Sequence, residues 1–293
     1  MPVPATVRLT ALVDPAARPP DRRLVWLAAD DGGVTVGSAR LELPGRGDAA
    51  GLDLAVHPAH RRAGTGSLLL AAARAAAAEQ GQRRISVRTA ADGPGEPFLA
   101  ARGFRAVLGL TYARLVLGDG GPAVPPAAPA HPGYRLVSWQ GTVPAALAHS
   151  FAASRRAMDD MPMGDSDRDT TPWDVERVLA VEAAVAARGE LLTTVVAVDT
   201  ADGSVAGFTE LVVPGDGLGD GQHYGTGVLP GHRGRGLARR MKTESIRLAR
   251  AHHPQLSGLL TDTADGNAPM RAVNDALGYR PTHRTVEYAL DLA

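Results

Sequence analysis

The chain has 293 residues, 44% of them hydrophobic, enough apolar material for one large core or two modest ones. Its 31 basic and 31 acidic residues cancel to a formal net charge of zero, which removes the whole-molecule field that draws proteins to nucleic acid or acidic membranes. The absence of cysteine excludes disulfides, thiolate nucleophiles and cysteine-ligated zinc; with no basic leader and no long apolar run, the expectation is a cytoplasmic protein that binds neither nucleic acid nor membrane.

The first predicted elements form a hairpin. Residues 24–44, LVWLAADDGGVTVGSARLELP, alternate as a strand, turn at Asp31-Gly32-Gly33 and alternate again. A further strand, LDLAVHP, leads into the turn AHRRAGTG. An apolar helix, SLLLAAARAAAAEQ, follows and stops at Gly81. A short strand, RRISVRT, and a second helix closing on Gly103-Phe104 complete the first half. Residues 118–133, GDGGPAVPPAAPAHPG, hold almost nothing that could enter a core; they read as a semi-rigid linker or as a long surface loop.

The same order then recurs. After a helical segment, VPAALAHSFAASRRAM, and a helix over 171–189 with Thr171 as its expected cap, residues 192–214 form a hairpin about Asp202-Gly203. Then come the strand HYGTGVLP, the turn GHRGRGLA, an apolar-faced helix stopped before Pro254, the strand SGLLTDT and a helix closing on Leu277-Gly278-Tyr279. One module has been duplicated, and this repeat favours a linker over a loop at 118–133. Between the two leading helices, DDMPMGDSDRD reads either as a solvated loop or as a substrate-facing lid.

The glycine-arginine turns carry the chemical signal. A helix N-terminus offers unpaired N–H groups and a partial positive charge, and it can cradle a phosphate where the backbone is bare enough for close approach. Gly234 and Gly236 supply the bareness, and Arg233 and Arg235 add charge suited to a diphosphate. The first half repeats the pattern at Arg61, Gly64 and Gly66. No Walker-type loop occurs, and the strands before the turns sit in hairpins, unlike the parallel units of a dinucleotide fingerprint.

An Arg-x-x-Gly-x-Gly/Ala turn after a strand is similar to the signature of the GCN5-related N-acetyltransferase family, and both halves match it, at 61–66 and 233–238. The resemblance implies an α+β protein of two tandem modules, each a mixed, mainly antiparallel sheet flanked by helices, over residues 1–117 and 134–293. The tandem layout is similar to that of mycothiol synthase and related actinobacterial acetyltransferases. It further implies acetyl-coenzyme A or another acyl-coenzyme A as co-substrate, held in the second module by Val228, Arg233, Gly234, Arg235, Gly236, Leu237 and Ala238, with Asn267 on the cofactor arm. The corresponding positions of the first module are Val56, Arg61, Gly64, Thr65 and Gly66. In relatives the strand before the turn often supplies a carboxylate base; aligning Gly37 with Gly207 puts Glu210 there, opposite Arg40 of the first module. Glu210 is thus either that base or a solvent-facing strand residue.

The family's usual tyrosine acid is replaced by Asn274, grouped here with the cofactor residues, and by Leu99 in the first module. Tyr224 is then a candidate acid, and water is another. His223 is a weaker candidate base, His252-His253 a solvated helix end, and Trp139 and Trp173 packing residues. No ligand spacing suggests a metal. The expected activity is N-acyl transfer by direct attack of an amine on the thioester, with the C-terminal module catalytic. The amine could belong to a small molecule, a mycothiol-type aminosugar or a peptide, and an acyl carrier protein could replace free coenzyme A as donor. The rival is a non-catalytic acyl-coenzyme A sensor.

Overall fold

Short Asp- and Gly-containing turns set the hairpins. Asp30 accepts hydrogen bonds from the main-chain N–H of Gly32 (3.0 Å) and Val34 (2.9 Å), and Gly33 takes a left-handed φ of +80°. In the second half Asp202 accepts from Ser204 N–H at 2.8 Å and Gly203 has φ +76°. The computed structural model describes residues 7–13, 22–44, 48–118, 131–159, 161 and 172–292. The first half runs β1 (Arg8–Val13), β2 (Arg22–Ala29), β3 (Thr35–Leu43), β4 (Ala49–Val56), α1 (Thr65–Glu79), β5 (Arg84–Ala90), α2 (Gly95–Ala100) and β6 (Arg105–Val116). The second runs β7 (Tyr134–Gln140), α3 (Ala145–Ser154), α4 (Val175–Ala187), β8 (Glu190–Asp199), β9 (Val205–Pro214), β10 (Asp220–Val228), α5 (Leu237–His252), β11 (Gly258–Ala264), α6 (Ala268–Ala276) and β12 (Arg280–Asp291).

The described residues divide into two compact units, each an α+β layer of helices on a mixed sheet. One takes the residues up to Gly109 and those from Thr285 onward, and the other those from Leu110 to Arg284. The first unit's strands run β1-β2-β3-β4-β5-β12 and the second's β6-β11-β10-β9-β8-β7. In each, one neighbouring pair is parallel, β4 with β5 and β10 with β11, and the rest are antiparallel. The first core gathers Trp26, Leu41, Leu69, Leu70, Ile85 and Phe104 between α1 and the sheet. The second has Leu237, Met241 and Ile246 of α5 on one face and Phe151, Val178 and Phe208 on the other.

The sequence division at 117 and 134 does not anticipate the closing strands. Residues 285–291 of β12 pair with β5, and residues 110–116 of β6 pair with β11, so each half of the chain supplies the strand that completes the other unit's sheet. Residues 119–130 of the expected linker lie outside the described residues, as does most of the acidic segment 159–169. The expected cap of α4 is corrected: the N-cap is Asp174, whose carboxylate accepts from Arg177 N–H at 2.8 Å, and Thr171 is outside the described residues. Among the described residues no helix is long and apolar enough to cross a membrane.

Candidate active site

The turn before α5 is built from two left-handed glycines, Gly234 (φ +74°) and Gly236 (φ +72°), and a Cβ placed on either would meet nothing within 4 Å. The first internal bond of α5 runs from Arg240 N–H to Gly236 O at 3.1 Å. The N–H groups from Gly234 through Arg239 have no protein partner among the described residues. A bare, exposed turn that presents consecutive unpaired N–H groups at a helix start is a cradle for an anion. Leu237 is buried in the core, so it offers the cradle only its main chain; Thr65, its counterpart at the start of α1, is buried likewise.

The two arginines of the turn also bond within the protein. The Arg233 side chain donates from Nε to Val228 O at 2.9 Å and from its terminal nitrogen to Ala157 O at 3.4 Å. Arg61 makes the same backward bond, to Val56 O at 3.1 Å. The conserved geometry pins the strand end to the turn. Arg235 donates to the Tyr134 hydroxyl at 2.5 Å and to Gly231 O at 3.3 Å. Both guanidinium groups thus bond to the protein while the two residues stay exposed, and the main-chain N–H groups of the turn are left without a partner among the described residues. In the first unit, Arg62 stands where Gly234 stands in the second and is forced to φ +64°, while Gly64 reaches +90°. A side chain at Gly66 would meet the Phe98 ring at 3.1 Å.

Beside the turn the sheet opens. β10 pairs with β11 only from Asp220 to Gln222, and β4 with β5 only from Ala49 to Gly51; beyond these residues the parallel strands part. From Gly225 to Val228, β10 is paired to β9 on one edge, and its other edge is without a strand partner among the described residues. An extended chain could pair there as an added strand. In the second unit alone of these two strand pairs, the register with the preceding strand shifts: Tyr224 is an extra residue bulged between His223 and Gly225, whereas β3 and β4 stay in step. The bulge leaves Tyr224 half exposed, its hydroxyl accepting from Arg188 at 2.8 Å.

Glu210 lies across from Gly225, at the equivalent place to Arg40 across from Asp53. It does not face solvent: the residue is 3% exposed, and both carboxylate oxygens accept from the guanidinium of buried Arg155, Oε2 at 2.7 Å. Phe151, Trp173 and Phe208 surround that guanidinium with ring centroids 4.5–4.9 Å away. Burial pushes the Glu210 carboxyl up, and Arg155 pulls it back. Glycine at 225 leaves room, since a Cβ there would lie 3.9 Å from Glu210 Oε2. In the first unit Arg40 is ion-paired to Asp53 at the surface, beside an open cleft of about 340 Å³ lined by Glu42, Asp53, Arg88 and Glu287.

The two asparagines are engaged internally. Asn267 caps α6 through Met270 N–H at 3.2 Å. Asn274 is buried, accepting from Lys242 Nζ at 2.8 Å and donating to Thr263 Oγ1 at 3.0 Å. Lys242 is the charge that sequence reasoning missed: it is 1% exposed and lies 4.8 Å from the centroid of the Tyr279 ring. Burial lowers its pKa to about 7. His223 beside it is buried, neither ring nitrogen has a well-formed hydrogen bond among the described residues, and burial, with Lys242 adding and a main-chain contact at Glu210 opposing, holds its pKa well below the usual histidine value. Arg155 and Lys242 carried no local signal; each reads as an ordinary helical cation.

Family models describing an "Acetyltransferase (GNAT) domain" and the "Acetyltransferase (GNAT) family" match residues 21–106 and 159–279. The chain is 32% identical over 238 residues to a mycothiol acetyltransferase of Kineococcus radiotolerans, covering 78% of this chain and 69% of that protein. Among solved structures, a tandem GNAT protein from the clavulanic acid biosynthesis pathway superposes with a TM-score of 0.69 at 28% identity, over 94% of this chain and 84% of that one. A GCN5-related N-acetyltransferase from Sphaerobacter thermophilus shares the fold at 18% identity, with a TM-score of 0.69 over 91% and 80% of the two chains.

Proposed function

The chain belongs to the GNAT acetyltransferase family, with two such domains in tandem, and from that premise we propose that its second unit transfers an acyl group, most simply acetyl from acetyl-coenzyme A, to the amine of a small molecule or peptide. One observation carries the proposal: the bare turn at Gly234–Gly236 opens next to a sheet edge that has just parted from its neighbour. In this reading the diphosphate rests on the N–H groups from Gly234 to Ala238, and the pantetheine arm pairs along β10 toward Val228. The thioester then lies near the bulge at Tyr224. Attack by the amine nitrogen forms the C–N bond, the C–S bond breaks, and the thiolate leaves.

An alkylammonium must first lose a proton, and Glu210 is the carboxylate beside that path. After its two bonds to Arg155, each oxygen keeps a lone pair, and Arg155 holds the group in place. Tyr224 stands at the bulge as proton donor to the departing thiolate. The first unit has Arg40 at the place of Glu210 and Leu99 at that of Asn274, its β4 has no bulge to match Tyr224, and in this reading it serves as a non-catalytic partner. The mycothiol acetyltransferase relative suggests an aminosugar-like amine among candidate acceptors. A carrier-protein donor fits the same chemistry.

The test is Gly236→Asp, which puts a carboxylate in the cradle. Space around the Cβ is open, and Asp tolerates left-handed backbone, so the fold should survive. Calorimetric affinity for acetyl-coenzyme A should fall at least about tenfold, roughly 1.4 kcal/mol. Unchanged affinity in the folded variant refutes the site. A second reading, an acyl-coenzyme A sensor, is favoured by the Glu210–Arg155 pairing and by Asn274 where a tyrosine acid would stand. Thiol release from acetyl-coenzyme A in the presence of a panel of amines separates the two.

A further inference from the structure

The hydroxyl of Tyr134 sits against the phosphate turn from the far edge of the sheet. Tyr134 opens β7, is 4% exposed, and packs its ring with Leu237 and Met241, the residues that α5 buries in its first two turns. Its oxygen accepts from Arg235 at 2.5 Å and bonds His232 Nδ1 at 2.8 Å. Asp199 Oδ2 stands 3.7 Å from the same imidazole nitrogen, and His131 packs edge-on against the Tyr134 ring. A phenol has one proton and two lone pairs, so it can accept from Arg235 while donating to a His232 whose Nδ1 is bare.

The position of these partners in the chain is what matters. His232 ends the short 3₁₀ turn before Arg233, and Arg235 lies between the two left-handed glycines. One hydroxyl therefore ties the turn on both sides of Gly234. Glycines give this segment backbone freedom to lose, and fixing its N–H groups before an anion arrives removes an entropic cost from binding. The first unit lacks the tie. Leu9 and Leu136 are equivalent, each opposite the alanine that faces Gly37 or Gly207, which puts Val7 where Tyr134 stands. Ala63 takes the place of Arg235.

We infer that Tyr134 is a positioning residue for the diphosphate-binding turn, acting through Arg235 and His232 to hold its N–H groups in the binding arrangement; this rests on the acyl-coenzyme A reading above. Tyr134→Phe keeps the ring and its packing and removes only the oxygen. Calorimetry on the full chain should show affinity for acetyl-coenzyme A reduced about tenfold. Affinity for S-acetylpantetheine, which lacks the diphosphate and nucleotide, should stay within about twofold by competition or NMR titration. On an Arg235→Ala background the same change should add less than about twofold. Unchanged acetyl-coenzyme A affinity in folded Tyr134→Phe, equal losses for both ligands, or full additivity with Arg235→Ala would each overturn the inference while leaving the function standing. A wild-type chain that does not bind acetyl-coenzyme A overturns both.

Discussion

Replacing Glu210 by Gln removes a charge from a place where water cannot compensate. The Arg155 and Glu210 side chains are 8% and 5% exposed, and the carboxylate takes two parallel hydrogen bonds from the guanidinium. Glutamine preserves one acceptor but turns its NH₂ toward the second guanidinium N–H. Arg155 then keeps a buried charge, with Glu182 as a remaining carboxylate in its field. Breaking a buried pair from one side costs roughly 3–5 kcal/mol, and at about 2–4 °C per kcal/mol for a unit of this size the midpoint should drop by about 6–20 °C. The double variant Arg155→Met/Glu210→Leu removes both charges among the rings of Phe151, Trp173 and Phe208, and should recover most of that loss. Thermal and urea denaturation of the three proteins test this. A single variant costing under about 1 kcal/mol, or a double variant costing as much as the single one, refutes the pairing argument. The folded double variant also reports on chemistry: with the base gone, turnover should fall about 10²-fold while acetyl-coenzyme A affinity stays near wild type.

The first unit's Arg62 is held at φ +64° with its side chain exposed, so Arg62→Gly should stabilise the protein by up to about 1 kcal/mol in urea denaturation; a loss of stability would show that the side chain compensates the strain. Lys242 has a folded pKa of about 7 against an ordinary 10.5, so between these values the unfolded chain binds one more proton and stability rises with pH. Wild type should therefore gain on the order of 1 kcal/mol per pH unit between pH 7.5 and 9.5 relative to Lys242→Met, and parallel pH profiles of the two proteins would contradict a depressed lysine. Gly64→Asp puts a carboxylate in the first turn, where a Cβ meets nothing within 4 Å, and should leave turnover within about threefold; loss as complete as in Gly236→Asp would make the first site catalytic or obligately coupled.

What the sequence determined is what short-range chemistry encodes. Asp30 and Asp202 bond to N–H groups two to four residues on, Gly33, Gly64, Gly234 and Gly236 take up left-handed backbone, and the helices carry their own start and stop signals. The hairpins, the turns, the duplication and the exchange of Glu210 for Arg40 are therefore legible within windows of a few residues. The tertiary structure decided what depends on partners far along the chain. Arg155 meets Glu210 across 55 residues, Lys242 meets Asn274 across 32, and Tyr134 meets Arg235 across 101. Each cation is indistinguishable in sequence from a solvated one. The closing strands show the same limit: β6 and β12 are equally long, and nothing local says whether Val286 lies opposite Thr89 in the first half or a residue of its own half. Periodicity makes a segment a strand, but pairing and burial are settled by which surfaces can be covered together, and only the folded chain brings those surfaces into contact.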